Sequence, residues 1–246
     1  MQVIYEARGK AREYNELALS VYRGCSNRCR YCFGPEVTHT TREAYSLVSP
    51  RKNILAKIDS DCRAMVAAGD GRHVFMSFVT DPYPEVEPHI HFTRQAIEIL
   101  HRYSIPVMLL TKGGARACND FDLLSPIDKF GVTLTFLDDK RSLEWEPRAA
   151  LPSERLDTLR MAHQQGITTW VSLEPVIDPV ATLDIIREGH EFVNFWKLGP
   201  LDAKGDPAIH KVVQSTDWHK FAHDAMDLLE ELGATYFFKH ALQVWL

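Results

Sequence analysis

The chain has 246 residues, of which 45% are hydrophobic, 25% charged and 10% aromatic, proportions that exclude a disordered chain, a collagen-like repeat and a coiled coil. No apolar run approaches the roughly 18 residues of a membrane span, and the charged N-terminus MQVIYEARGKAREYNE lacks the apolar core of a secretory signal, so a cytoplasmic protein without a membrane partner is expected. Net charge is −5, but residues 1–60 carry ten Lys/Arg against six Asp/Glu and the remainder is net −9; this distribution argues against non-specific coating of duplex DNA, which uses a broad basic face, and leaves room for a local anionic partner.

Strand-like and helix-like apolar patterns alternate along most of the chain. Leu17–Tyr22 reads as a short strand leading into a cysteine-rich loop, and 51–69 as a helix with Ile54, Ile58, Met65 and Val66 on one face. Val74–Val79 is a buried strand followed by the polar TDPYPEVEP. A helix over 87–103, a strand over 105–110, a short helix over 120–130 and a strand over 131–137 come next. Then follow a helix over 153–165 with Ser153 as N-cap, a strand over 167–173, a helix over 179–190 and a strand over 191–198. An amphipathic helix over 216–232, ended by Gly233, and a strand over 235–239 complete the series.

Six βα units and a last strand imply an α/β fold, a parallel sheet covered by helices through right-handed crossovers, wound either doubly or into a barrel. With no linker, repeat or low-complexity tract, one domain spanning 1–246 is expected. Polar residues recur at the C-terminal ends of the strands, at Thr80-Asp81, Thr111-Lys112, Asp138-Asp139, Glu174 and Lys197. That edge is where parallel α/β proteins bind ligands.

Cys25, Cys29 and Cys32 fall within eight residues, while Cys62 and Cys118 stand alone. An odd count without a secreted context disfavours a disulfide framework, and the two isolated thiols read as inert. Three clustered thiols read as a metal site. Structural zinc takes four protein ligands, which His39 would have to complete, and ferredoxin loops supply four cysteines per cluster. Three thiolates on a four-iron cluster leave one iron open to a substrate or cofactor.

The loop YRGCSNRCRYC, with Tyr31 in the aromatic position, resembles the C-x3-C-x-aromatic-C signature of the radical S-adenosylmethionine (SAM) superfamily. The later TDPYP, the TK pair and the EP-R of Glu146 to Arg148 resemble its spore photoproduct lyase branch, over about residues 15–200. The resemblance implies a partial (β/α)6 TIM-type barrel of parallel strands with outer helices, followed by a C-terminal helix and strand extension over 201–246. It implies a [4Fe–4S] cluster on Cys25, Cys29 and Cys32, with SAM chelating the open iron. An external one-electron reductant of flavodoxin or ferredoxin type would drive cleavage of SAM to methionine and a 5′-deoxyadenosyl radical, which abstracts hydrogen from substrate. Arg23, Arg28 and Arg30 would offset the charge of an anionic cluster or form a solvated face.

For the cofactor, Tyr31 flanks the third cysteine, and Thr80 and Asp81 offer acceptors to the methionine ammonium or form a simple turn. Lys112 could pair with the methionine carboxylate. Thr133 and Thr135 share a face towards the ribose, unless they reflect β-propensity alone, and Ser172 shares a face with Glu174. The catalytic candidates are Tyr83, Glu174 and Lys197. An unpaired carboxylate is costly to bury, which favours a ligand contact for Glu174; Lys197 and Lys239 could bind an anionic group or snorkel to solvent.

The branch's additional cysteine, just before its Thr/Ser-Asp segment, is replaced here by Val79, which cannot return a hydrogen atom. Spore photoproduct repair is therefore not expected. Rearrangement or modification of a nucleobase is, with a modified thymine or pyrimidine in DNA or a nucleotide as the substrate, and with lyase, isomerase or transferase chemistry open. A small metabolite, a peptide or tRNA is the alternative substrate; a non-enzymatic zinc- or cluster-stabilised nucleic-acid-binding protein is the alternative class.

Overall fold

A computed structural model describes residues 2–202 and 206–246. Within them lie the strands β1 (Ile4–Glu6), β2 (Leu17–Leu19), β3 (Tyr22–Arg23), β4 (Ser49–Pro50), β5 (Val74–Met76), β6 (Val107–Thr111), β7 (Lys129–Thr133), β8 (Thr168–Val176), β9 (Phe195–Pro200) and β10 (Tyr236–Phe238). Eight form one sheet in the order β1-β2-β5-β6-β7-β8-β9-β10, and β3 pairs with β4 alone. Only β1 runs antiparallel to its neighbour in the large sheet.

The parallel strands follow one another in sheet order as in the chain, so six crossovers all step the same way. Right-handed crossovers without a reversal put the helices on one face and curl the sheet towards a barrel. A doubly wound sheet would need a reversal, and none occurs. The fold is a partial (β/α)6 barrel.

Residues alternate across each strand. Those facing the helices, among them Phe130, Val132, Val171, Leu173, Trp196 and Leu198, join the main core. Phe75, Met108 and Trp170 instead pack inside the barrel against Tyr14, Phe78, Leu110 and Phe195. Phe75 stacks on Phe78 at 4.3 Å between ring centroids, and Tyr14 lies 5.6 Å from Phe75. This plug of rings fills part of the interior. Towards the C-terminal ends, the inward positions become Thr133, Ser172, Glu174 and Lys197, and there the barrel turns polar.

Trp170 needs a cradle. Its Nε1 donates to Leu109 O at 3.1 Å, and a Cβ at Gly131 would lie 2.3 Å from its ring. Gly131→Ala is expected to destabilise by about 1–3 kcal/mol through overpacking. The check is the urea midpoint; an unchanged value would mean that the indole is free to move aside.

Several elements depart from the sequence reading. The helix expected over 87–103 is split into Glu87–Ile90 and Phe92–Arg102 at His91, whose φ is 53°. The Glu87 carboxylate explains the break: it accepts the Thr93 N–H at 2.9 Å, capping the second helix, while Tyr22 donates its hydroxyl to the other oxygen. The segment 120–130 is not an α-helix; a 3-10 stretch covers Gly114–Leu123. Pro126 blocks continuation, and Asp128 gathers the N–H groups of Ser125 and Val107. Ser153 is not an N-cap, because the helix starts at Pro152. β7 ends at Thr133 and β9 begins at Phe195, both displaced from the expected ranges. Among the described residues no helix is long and apolar enough to cross a membrane.

Candidate active site

The cysteines sit on an excursion, residues 24–48, whose neck is closed by pairing of β3 with β4. Gly24 has φ +73°, and a Cβ there would meet Leu47 O at 2.3 Å, so only glycine lets the two sides close. Cys25 N then donates to Tyr45 O at 2.8 Å. Arg42 braces the loop from the returning side, with Nη1 on Cys29 O at 3.1 Å and Nη2 on Arg30 O at 2.8 Å. Gly34 N–H points at Cys32 Sγ, 3.4 Å away.

All three cysteines line one cavity of about 620 Å³, with Arg28, Arg30 and Arg42 in its wall. Burial pushes the Cys25 thiol up and raises Cys29 to about 12. Both therefore stay protonated without metal, and loading must displace those protons. Among the described residues no three or more His, Cys, Asp or Glu side chains are placed to hold a single metal ion. The thiols surround a space rather than a point, and His39 is exposed and outside that cavity.

Behind Cys29 lies a buried charged network. Tyr31 donates its hydroxyl to Glu146, and Glu146 Oε2 lies 2.6 Å from Arg155 Nη2, both side chains being 0% exposed. Arg155 also donates to Ala150 O at 2.7 Å and Thr133 O at 2.8 Å. Burial works to raise the Glu146 carboxyl, but Arg155, Lys112 and Tyr31 outweigh it and hold it below its ordinary range. The Lys112 ammonium stands 5.6 Å over the Tyr31 ring, a cation–π contact.

Asp81 ties this region together. Its Oδ1 accepts from Thr111 Oγ1 at 2.5 Å and Tyr83 N at 2.9 Å; its Oδ2 accepts from Lys112 N and Asn27 Nδ2, each at 2.8 Å. One carboxylate thus joins the cysteine loop to the ends of β5 and β6. Ser26 Oγ and Asn27 Oδ1 in the loop, and Thr135 Oγ1 just past β7, are buried without a hydrogen-bond partner among the described residues. Such atoms are costly to leave unpaired, and a polar ligand would satisfy them.

A second polar group lies deeper, around Tyr14. The tyrosine hydroxyl donates to Glu174 and lies 2.9 Å from Ser172 Oγ. Lys239 Nζ donates to Glu174 Oε1 at 2.8 Å and lies 3.3 Å from Glu13 Oε2. Lys197 donates to the carbonyls of Glu13 and Tyr14. Glu174 and Lys239 border a cavity of about 530 Å³ between the end of β10 and the segment connecting β1 with β2.

Burial, with Lys239 close by, lowers Lys197 to about 8 from 10.5. The unfolded chain then holds this proton more tightly than the folded one, so the charged lysine destabilises below pH 8 and the penalty fades as pH rises towards 10.5. Relative to Lys197→Met, the wild-type chain should gain on the order of 3 kcal/mol across that window. Paired denaturation curves at the two ends test this, and a constant difference would refute the depressed proton affinity.

Tyr31 lies on the cysteine loop; Thr80, Asp81, Lys112, Thr133 and Thr135 lie at or just past the C-terminal ends of β5, β6 and β7, and Ser172, Glu174 and Lys197 lie around Tyr14. Thr80 Oγ1 lies 2.9 Å from Ser77 Oγ. Tyr83 and Asp81 are engaged within the chain. Tyr83 is 1% exposed in the main core, with its hydroxyl beside Asp120, so it does not face the barrel interior. Asp81 has both oxygens engaged by the chain's own donors and joins the cysteine loop to the strand ends. Asp138 caps the helix Asp139–Trp145, and Asp139 accepts from Ser153, so both serve structure. Sequence reasoning missed Tyr14, Asn27 and Arg155; an arginine inside a polar helix gives no sign that it is fully buried.

The sequence matches the family described as the Radical SAM superfamily over residues 19–193. The chain belongs to the radical SAM superfamily. It is similar to an uncharacterized protein of Methanocaldococcus jannaschii, 24% identical over 195 residues, covering 76% of this chain and 70% of that one. It is also similar to an uncharacterized protein of Acidianus two-tailed virus, 27% identical over 178 residues, covering 68% of this chain and 57% of that one. In fold it resembles a cysteine-to-serine variant of spore photoproduct lyase, with TM-score 0.73, 13% identity, and 94% of this chain and 79% of that chain covered. It also resembles Streptococcus suis SuiB bound to S-adenosylmethionine, with TM-score 0.64, 11% identity, and 93% and 49% covered.

Radical SAM membership implies SAM and an iron–sulfur cluster, and this donor set fits both. Three thiols around one cavity suit a polynuclear centre, whereas a lone zinc ion would want ligands converging on one point. The unpartnered atoms of Ser26, Asn27 and Thr135 provide hydrogen-bonding capacity for the polar parts of SAM.

Proposed function

We propose that this radical SAM protein is an enzyme that holds a [4Fe–4S] cluster on Cys25, Cys29 and Cys32 and modifies or rearranges a nucleobase. The reading is carried by one observation: the three thiols of the signature loop line one cavity. When bound, the cluster and SAM supply reductive cleavage to methionine and a 5′-deoxyadenosyl radical.

The chain's own residues position and enclose. Asp81 and Arg42 fix the loop through its main chain. Tyr31, Thr80, Lys112, Thr133, Thr135 and Ser172 form the wall offered to SAM, with Lys112 the cation for its carboxylate and Thr80 an acceptor for its ammonium. The rings of Tyr14, Phe75, Phe78 and Trp170 exclude water from below, protecting a reactive radical. Glu174 and Lys197 are assigned to the substrate, where a carboxylate and a low-affinity amine can hold the polar edge of a modified thymine or pyrimidine in DNA or a nucleotide. Val79 has no thiol to return a hydrogen atom, which favours rearrangement or modification over repair. The whole chain, 1–246, is taken as one radical SAM domain reduced by an external flavodoxin- or ferredoxin-type carrier.

The test is anaerobic reconstitution with iron and sulfide, followed by dithionite, SAM and quantification of 5′-deoxyadenosine with and without DNA or nucleotides. Cleavage should fall to background in Cys25→Ala, Cys29→Ala and Cys32→Ala, and hydrogen from a nucleobase substrate should appear in the deoxyadenosine. Full iron loading without cleavage under any of these conditions overturns the radical reading; cleavage indifferent to every nucleobase tested overturns the substrate class.

A further inference from the structure

Tyr45 ends the short helix Arg42–Tyr45 and lines the cysteine cavity from the returning side of the loop. It is 6% exposed, and its hydroxyl is buried without a hydrogen-bond partner among the described residues. A phenol so placed costs free energy that a phenylalanine ring would not. Three further observations say where the hydroxyl is directed. A Cβ on Gly34 would lie 2.2 Å from the Tyr45 oxygen, so the hydroxyl takes the space that any other residue at 34 would fill. The N–H of that same Gly34 points at Cys32 Sγ, 3.4 Å away. Burial, and after it the nearness of Cys32, Cys25 and Cys29, raises the phenol above its ordinary range, which leaves it a proton donor.

The arginines of the same wall direct their bonds elsewhere. Arg42 donates to the carbonyls of Cys29 and Arg30, Arg30 to Asp206 at 2.7 Å, and Arg28 to Ser46 at 3.0 Å. The Tyr45 hydroxyl has no such engagement. One turn of helix therefore serves the loop twice: Arg42 holds its main chain, and Tyr45, three residues on, presents a donor to its thiols. The base of that side chain is fixed as well, because Cys25 N donates to Tyr45 O at 2.8 Å.

We infer that the Tyr45 hydroxyl donates a hydrogen bond to a sulfur of the bound iron–sulfur cluster and thereby raises its reduction potential. The inference rests on the cluster reading of the cavity and adds a residue that sets how readily an electron is accepted there. Reduction by one electron makes the cluster and its thiolates more negative. An O–H donor interacts more strongly with the more negative state and so favours the reduced form. The electron comes from the external reductant; the phenol keeps its proton, and no covalent bond forms or breaks. Tyr45 is thus a positioning residue that acts through the cluster.

Tyr45→Phe removes the hydroxyl and keeps the ring. Reconstituted anaerobically, the variant should hold iron and sulfide in wild-type amounts. In a redox titration followed by electron paramagnetic resonance without SAM, its reduction equilibrium should become about tenfold less favourable, a fall of about 59 mV for one electron. The metal-free variant should unfold at the wild-type urea concentration or above it, because an unpaired buried donor has been removed. An unchanged potential in fully loaded Tyr45→Phe overturns the inference and leaves the phenol as a space-filler. A shift seen only with SAM present also overturns it, because the hydroxyl then serves the cofactor. Should Tyr45→Phe take up no iron, Tyr45→3,5-difluorotyrosine decides: its more acidic phenol is the stronger donor and should raise the potential, and a wild-type value overturns the inference. A wild-type chain that takes up no iron refutes the cluster reading itself, and this role with it.

Discussion

Replacing Glu146 by alanine is expected to destabilise the protein by about 3–5 kcal/mol, the effect of removing one partner from a buried ion pair. Arg155 would be left charged at 0% exposure, its remaining acceptors being the neutral carbonyls of Ala150 and Thr133. The hydroxyl of Tyr31 would lose its acceptor at the same time. The carboxyl is held below its ordinary value of 4.5 chiefly by Arg155 working against burial. Its contribution is therefore complete above about pH 4.5 and is lost as pH falls through the depressed folded-state value. Glu146→Gln keeps the shape and an acceptor for Tyr31 but not the charge, and should destabilise less. In Glu146→Gln combined with Arg155→Met, part of the loss should return, because an apolar side chain of similar length no longer strands a charge. Urea midpoints of the two single variants and the double variant decide the matter. Strictly additive effects would show that the two side chains are not energetically coupled.

The network around Glu146 marks the boundary of what local pattern reveals. The alternation of apolar strands with amphipathic helices was enough for the α/β class and for six crossovers, since both depend on period and order along the chain. The cysteine loop was legible for the same reason: Cys25, Cys29, Cys32 and Tyr31 are close in sequence, so spacing carries the chemistry. Elements settled by distant contacts were not. The break at His91 depends on Glu87 being held by Tyr22, 65 residues away, and the end of the expected helix over 120–130 depends on Asp128 bonding back to Val107.

Polar residues at strand ends were legible as a set but not in their individual duties. Glu174 and Lys197 lie inside the barrel as their positions suggested, yet their partner Tyr14 precedes β2, and nothing in EYNE announces that a ring will enter the plug. Tyr83, between two prolines after a strand, looks like a site residue in sequence, while the main chain turns at Asp81 and the side chain enters the helix-facing core. Asp81 shows the converse. Its neighbours in sequence suggest a turn or a ligand, whereas its bonds to Asn27, Thr111 and Lys112 span 54, 30 and 31 residues.

Those spans make Asp81 the second site at which a large loss is expected. Asp81→Ala strands four donors: the N–H groups of Tyr83 and Lys112, the hydroxyl of Thr111 and the amide of Asn27. Hydrogen bonds to a charged acceptor are each worth about 1.5–3 kcal/mol, and donors left buried add a penalty of their own; even with water re-entering, about 4 kcal/mol should be lost. Asp81→Asn is isosteric but replaces one oxygen by a donor, which must face either Thr111 and Tyr83 or Asn27 and Lys112. About half of the bonds fail whichever way the amide turns, so this variant should fall between wild type and alanine. Asn27→Ala removes only the arm that reaches the cysteine loop. It should therefore reduce iron uptake on anaerobic reconstitution while destabilising the fold by only about 1–2 kcal/mol, read from urea denaturation. If Asp81→Ala instead loads iron fully and unfolds at the wild-type midpoint, the loop is held by the braces of Arg42 and the β3–β4 neck alone. An intermediate stability with lost iron in Asn27→Ala would place the coupling between barrel and loop at that single amide.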